Sequence, residues 1–370
     1  MRLIFTSYAH VAQYDHPGEW LGRIAPYTAL LEALAADHEV IAMERINWQG
    51  QLSRNGVQYL FARDGKAGRL FPWHVHRTIS RLRPAAVFIN GFVFPLQLIQ
   101  LRLQLGWGVK IFVIHRAEHP SRGVRGLLQK VASRCIDAYL LASMDHAREW
   151  INAGVFPDAA RMRALIPASS VFSGNISPED EERAHTYLWV GRLNANKDPI
   201  TVVRAFSRFL GKHPRARLFM IFQEDELLPD VAQLVRETGT GSSILLVGKV
   251  PHHALQPWFE KAGFFISGSH YESCGIALIE AMSCGCVPVV TDIPSFRNIT
   301  GNGACGLLYS PGDADQLTRV LEESQALDLE KQQAAVMEQY RFALSFSAIA
   351  RNINRILNEG REGEATLAVG

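Results

Sequence analysis

Short apolar runs alternate with amphipathic helical segments along almost all of this 370-residue chain. That alternation constrains the fold more than any other feature. In the first half, strand candidates are Leu3–Thr6, Glu39–Ala42, Ala86–Ile89, Lys110–Ile114 and Ala138–Ala142, with helical patterns such as Ile24–Ala36 and Val124–Cys135 between them. Strand and helix in turn predict an α/β fold, a parallel sheet with helices on both faces. A polar stretch, Ser173–His185 (SGNISPEDEERAH), interrupts the pattern and reads as a linker. Alternation resumes with Tyr187–Val190, Arg217–Phe222, Ser243–Val247, Gly263–Ser267 and Val287–Thr291, and a polar-faced helix, Tyr340–Leu357, comes last. Two doubly wound domains, residues 1–172 and 186–344, fit this better than one large sheet.

Composition narrows the class. Apolar residues make up 48% and charged ones 20%, which excludes a disordered chain. The net charge is only +2, but residues 1–170 hold 20 Lys and Arg against 12 Asp and Glu, an excess of eight. A basic first half suits an acidic membrane surface or an anionic acceptor, and equally an ordinary solvated surface. The five cysteines, Cys135, Cys274, Cys284, Cys286 and Cys305, make no CxxC pair and no zinc spacing. Their odd number, with no signal-like opening segment, predicts reduced thiols in a cytoplasmic protein. The longest apolar region, Ala85–Ile114, is broken by Asn90, Pro95, Arg102 and Lys110, so no membrane span is expected.

In open parallel sheets, ligands bind beyond the carboxyl ends of the strands. Three strand-end loops carry suggestive residues: His115–His119, Gly191–Lys197 and Gly268–Gly275. After the last of these comes Ile276-Ala277-Leu278-Ile279-Glu280-Ala281-Met282, a helix that is apolar on nearly every side. Buried carboxylates are rare without a partner, so Glu280 demands a donor. Ser273 is a candidate cap for this helix, with Cys284 and Gly285 closing its far end. The amides around Cys274, Gly275 and Ile276 would then form an anion site at the positive helix end. Glu280 lies about 10 Å further along the axis. A diphosphate at the helix tip would place a ribose near it, and a carboxylate accepts two hydroxyls well. The alternative is a buried ion pair with an Arg from elsewhere.

The loop Gly191–Pro199 (GRLNANKDP) precedes a helix whose cap and first residue are Asp198 and Pro199. It sets Arg192 and Lys197 at a strand's carboxyl end, where a diphosphate leaving group needs positive charge. Asp313-Ala314-Asp315 has the form of a metal-binding DxD, yet it follows Pro311-Gly312 and opens a helix, which reads as capping.

VGRLNANKDP (Val190–Pro199), the stretch from GKVPHHALQPW through CGCVPVVTD (Gly248–Asp292) and CGLLYSPGDADQLTRVL (Cys305–Leu321), in that order, resemble the retaining GT-B glycosyltransferases of family four, glycosyl transferases group 1. The resemblance covers most of residues 186–357. It implies two Rossmann-like domains facing across a cleft, with an acceptor side in 1–172 and a nucleotide-sugar side in 186–344. A helix at about 345–370 returns to the first domain. By resemblance Glu280 holds the nucleotide ribose, and Glu272 is the acid beside the donor sugar. Ser273, Cys274, Gly275 and Ile276 cradle sugar and phosphate with their amides, and Arg192 and Lys197 clamp the diphosphate. Gly191 and Val250 are further donor-binding positions. IHRAEH (Ile114–His119) is similar to the family's strand-end histidine, which makes His115 the residue facing the transferred sugar, with His119 close by. The implied reaction moves a hexose-type sugar with retention from a nucleotide-diphosphate sugar to a glycan, lipid-linked or small-molecule acceptor. It needs no metal and no cofactor beyond the donor, involves no nucleic acid, and is compatible with peripheral membrane contact.

Two departures stand out. The family's glycine-rich turn after its first strand is replaced by YAHVAQYDHPGEWLGR (Tyr8–Arg23), and its Gly-x-Gly-Pro after the second strand of the second domain by FQEDELLPD (Phe222–Asp230). The rival readings are a dinucleotide oxidoreductase, a 2-epimerase sharing the nucleotide-sugar site, and a silent binding subunit. The first lacks a Gly-x-Gly-x-x-Gly, since Leu3–Tyr14 contains no glycine. Intact Glu272, Glu280, Arg192 and Lys197 argue against the last.

Overall fold

The computed structural model describes residues 1–62, 70–116, 118–174 and 181–367. They fall into two units. The first is Met1–Ala168 with Phe346–Gly370, and the second is Ser169–Ser345. Of the expected linker, residues 175–180 lie outside the described residues, as do 368–370 of the expected returning helix.

The first unit carries eight strands: β1 (Arg2–Thr6), β2 (Glu39–Glu44), β3 (Gly50–Arg54), β4 (Val57–Phe61), β5 (Ala86–Asn90), β6 (Lys110–Ile114), β7 (Ala138–Leu141) and β8 (Met162–Ala164). Their order is β3-β4-β2-β1-β5-β6-β7-β8, parallel except where β3 meets β4. Side chains alternate between two cores, as a strand's period of two dictates. Leu3, Phe5, Ala86, Phe88, Phe112 and Ile114 enter one core. Ile4, Val87, Ile89, Ile111 and Val113 enter the other. Both faces are therefore buried, which is why these strands read as continuous apolar runs. The terminal helix, Phe346–Leu367, sends Ile349, Ile353 and Ile356 into the first core beside the Ala25–Leu34 helix.

The second unit carries β9 (Thr186–Gly191), β10 (Arg217–Phe222), β11 (Ile244–Gly248), β12 (Phe264–Ser267), β13 (Val287–Thr291) and β14 (Leu307–Tyr309), in the order β11-β10-β9-β12-β13-β14 and all parallel. Sheet order reverses at β9, so the loops after β9 and β12 leave adjacent strands at a topological switch point.

Several expectations change in detail. The reading missed the hairpin β3–β4, the short β8 and the edge strand β14. The single last helix is two: a π-helical turn at Tyr340–Leu344 stops at extended Ser345, and the terminal helix starts at Phe346. Ser169, Ser170 and Phe172 pack within the second unit, where the Phe172 ring lies tilted against Phe259 with centroids 6.0 Å apart and Ser283 Oγ donates to Ser170 Oγ at 2.8 Å. No helix among the described residues is long and apolar enough to cross a membrane.

Candidate active site

In the second unit the loops after β9 and β12 are stitched into one ledge. The His270 amide donates to Asn196 O at 2.8 Å, and Asn196 Nδ2 donates to Tyr271 O at 3.0 Å. Gly268 is obligatory at this seam, because a Cβ there would lie 2.9 Å from Asp198 O. Asp198 caps the Pro199–Phe209 helix as expected, accepting from the Thr201 amide at 3.1 Å.

The ledge brings Lys197 and Glu272 into contact. Lys197 Nζ pairs with Glu272 Oε1, and Ser269 Oγ donates to the same oxygen at 2.8 Å. Ser295 Oγ fixes the loop by donating to Glu272 O. The two side chains are only 17% and 15% exposed. Lys197 is thus a covered ammonium paired with Glu272. Arg192 differs. Its side chain is 55% exposed and its Nη1 is 3.8 Å from Glu224 Oε1, a screened surface contact. Glu224 belongs to the unusual FQEDELLPD segment, which is tied to the β9 loop by Leu193 N to Glu224 O at 3.0 Å and Leu227 N to Leu193 O at 2.9 Å.

The helix after the ledge is Ile276–Ser283. Ser273 is not its cap. Gly275 takes that position in the left-handed region, φ 56° and ψ 48°, and no side chain closes the first turn. Ser273 Oγ instead lies 3.6 Å from Cys274 Sγ. Gly275 is needed both for its positive φ and because a Cβ would meet Phe296 Cε1 at 2.9 Å and Ile299 Cδ1 at 3.0 Å. Packing, not only ligand approach, therefore explains this glycine. Cys284 and Gly285, at φ 74°, close the helix as predicted.

Glu280 is 3% exposed on this helix. Its partner is neither an Arg nor absent: His252 Nε2 lies 2.6 Å from Glu280 Oε1. His252 is half exposed and stacks on Phe172, centroids 5.0 Å apart at 29°. Nothing in the spacing between 252 and 280 signalled this pairing, although the PHH sequence puts a histidine just after β11.

The remaining site residues are more scattered. Gly191 ends β9 against Trp189, whose ring would meet a Cβ at 3.1 Å, and Val250 lies half-buried just beyond β11. Asp313 caps its helix by accepting from the Gln316 amide at 2.8 Å, while Asp315 pairs with Arg208. His115 belongs to the first unit and is 2% exposed. Its Nε2 meets Glu118 O at 3.1 Å, and its ring packs edge-on against Tyr139 and Trp150. His119 is exposed and pairs with Glu149 at 2.8 Å. The apolar segment Phe92–Trp107 is mostly core. Phe92, Leu98 and Leu101 are buried, and of its large apolar side chains only Leu103 and Trp107 are exposed.

Residues 176–341 match the family model described as glycosyl transferases group 1. Among curated relatives, a GDP-mannose:cellobiosyl-diphosphopolyprenol alpha-mannosyltransferase of Xanthomonas oryzae is 29% identical over 145 residues, 39% of this chain and 37% of that protein. A D-inositol 3-phosphate glycosyltransferase of Streptosporangium roseum is 29% identical over 155 residues, 39% of this chain and 34% of that protein. The chain thus spans about a third of the length of each. Among solved structures, sucrose-phosphate synthase from Thermosynechococcus elongatus superposes with a TM-score of 0.66 at 17% identity, covering 98% of this chain and 100% of that one. The fold is GT-B.

Proposed function

We propose that this chain, whose residues 176–341 match the family model of glycosyl transferases group 1, transfers a hexose-type sugar, with retention, from a nucleotide-diphosphate sugar to a glycan, lipid-linked or small-molecule acceptor. The observation that carries this reading is Glu280, a buried carboxylate whose one side-chain partner among the described residues is the half-exposed His252, on the same helix as an N-terminus that no side chain caps. A ribose diol would replace His252 at Glu280, and the diphosphate would meet the first-turn amides.

Negative charge grows on the departing diphosphate as the glycosidic bond breaks. Arg192 is open to oppose it directly. Lys197, already seated on Glu272, would share its charge between that carboxylate and the phosphate, holding Glu272 beside the donor sugar. The departing phosphate would take the acceptor's proton, and neither a metal nor a cofactor is invoked. The named relatives make GDP-mannose with a lipid-linked saccharide a natural first pairing, and peripheral contact with a cytoplasmic membrane face would suit such an acceptor.

The test is nucleotide release and product formation with GDP-mannose, UDP-glucose and UDP-galactose against free and lipid-linked saccharides. Transfer should fall roughly a hundredfold in Arg192→Ala, as when one transition-state donor is removed. Release of no nucleotide from any donor, or a free epimerised sugar as the only product, would overturn the proposal.

A further inference from the structure

At the carboxyl end of the first unit's sheet, β2 ends in Glu44, β5 ends in Asn90, and β6 hands the chain through His115 to Arg116. Glu44 is buried, with 7% exposure, and its Oε2 accepts from Trp20 Nε1 at 3.0 Å. Among the described residues no donor reaches Oε1. The nearby cation does not fill the gap. Arg116 instead donates twice to Asn90 Oδ1, at 3.2 and 2.8 Å, and its guanidinium lies 5.9 Å from the centroid of the Tyr27 ring. Asn90 Nδ2 in turn donates to Tyr27 Oη at 3.1 Å. Tyr14 packs on Trp20 with centroids 5.2 Å apart, and Tyr14, Trp20 and Tyr27 are all half-buried.

A purely structural carboxylate in such a place would be matched by a cation or a second donor. Glu44 Oε2 is satisfied by Trp20, while Oε1 has no protein donor among the described residues and is left to solvent or a ligand. Burial pushes its carboxyl up to about 7, against the Trp20 hydrogen bond and the Arg116 charge, which lower it. Near neutrality it can therefore accept or donate. Half-buried aromatic rings beside a carboxyl, an amide and a guanidinium suit a ligand with an apolar face and vicinal hydroxyls. A free phosphate would meet repulsion from Glu44 when that group is ionised.

We propose that this cluster is a saccharide subsite, in which Glu44 Oε1, Asn90 and Arg116 bind the hydroxyls of a sugar ring and Trp20 supplies an apolar face. That this sugar belongs to the acceptor rests on the transferase reading; that the subsite takes a saccharide does not.

The experiment titrates full-length protein, without any nucleotide, with cellobiose, maltose and methyl mannoside, and reads saturation-transfer signals and tryptophan fluorescence. Wild type should bind at least one of them. Glu44→Gln and Arg116→Ala should each weaken that binding about tenfold, the loss of one charge-assisted hydrogen bond. Nucleotide binding by calorimetry should stay unchanged, which also shows that both variants fold. Trp20→Phe should abolish most of the fluorescence response. Absence of binding by all three saccharides, or binding that neither variant weakens, overturns the subsite. If saccharide binding depends on Glu44 while no donor supports transfer, the transferase reading fails and the subsite stands. If transfer occurs and Glu44→Gln leaves the acceptor KM unchanged, the subsite fails and the transferase reading stands.

Discussion

A carboxylate 3% exposed on an apolar helix needs a donor, and His252 Nε2 at 2.6 Å supplies one. The geometry makes His252 the competitor that a ribose must replace. Glu280→Gln should therefore weaken nucleotide binding by about 1.5–3 kcal/mol, because an amide accepts less strongly than a carboxylate. Calorimetry reads this directly, and unchanged affinity in a folded variant would leave Glu280 a structural group held by His252 alone. Glu44 gives a second prediction at this scale, in pH. Its folded pKa is raised from 4.5 to about 7, chiefly by burial. The native state thus keeps a proton that the unfolded chain releases first. The stabilising contribution is complete below about pH 4.5 and is lost as pH rises through about 7. Glu44→Gln cannot titrate, so its melting temperature relative to wild type should climb across that window. A difference that stays flat with pH would remove Glu44 as the titrating group.

At the scale of single elements, Gly275 is where loop, helix and core meet. Alanine there must hold φ near 56° and push against Phe296 and Ile299. Gly275→Ala should cost about 1–3 kcal/mol of stability from backbone strain, with a further loss of nucleotide affinity. Differential scanning calorimetry checks the first part, and a melting temperature equal to wild type would show that the turn relaxes. The same element shows what could be read from the chain and what could not. Strands buried on both faces write themselves as apolar runs, so Lys110–Ile114, Arg217–Phe222 and Val287–Thr291 agree with the structure residue for residue. Edge strands lack that signature. Gly50–Arg54 is largely polar and exposed, and its one clear signal is the Asn55–Gly56 turn with φ of 48° and 81°. Capping chemistry favours Ser273, but the close approach of Phe296 and Ile299 requires glycine at position 275. The loops of the site were legible because strand ends and helix starts have local signals. The pairs Lys197–Glu272 and His252–Glu280, 75 and 28 residues apart, exist only through tertiary packing, and no local spacing encodes them.

For the molecule as a whole, the charge excess of the first half can be tested for surface contact on one helix. Phe92–Trp107 is largely core, but the Gly123–Ala132 helix presents Val124, Leu127 and Val131 outward at positions i, i+3 and i+7. Arg122, Arg125, Lys130 and Arg134 are exposed around that stripe, and no Asp or Glu lies between residues 119 and 136. An apolar ridge flanked by four cations, with Glu149 beside Leu127 and Lys130, would suit the boundary of an anionic bilayer, where each basic residue near the surface adds about 1 kcal/mol. Docking of this kind should weaken as salt shortens the Debye length. The purified protein should co-float with vesicles containing phosphatidylserine at low salt, and not with vesicles of phosphatidylcholine alone. Leu127→Ser should reduce flotation while leaving the salt dependence, because it removes area rather than charge. Arg125→Glu should reduce it and flatten the salt dependence. Flotation that ignores both substitutions would place the contact elsewhere, and no flotation with any vesicle at low salt would make the basic half an ordinary solvated surface.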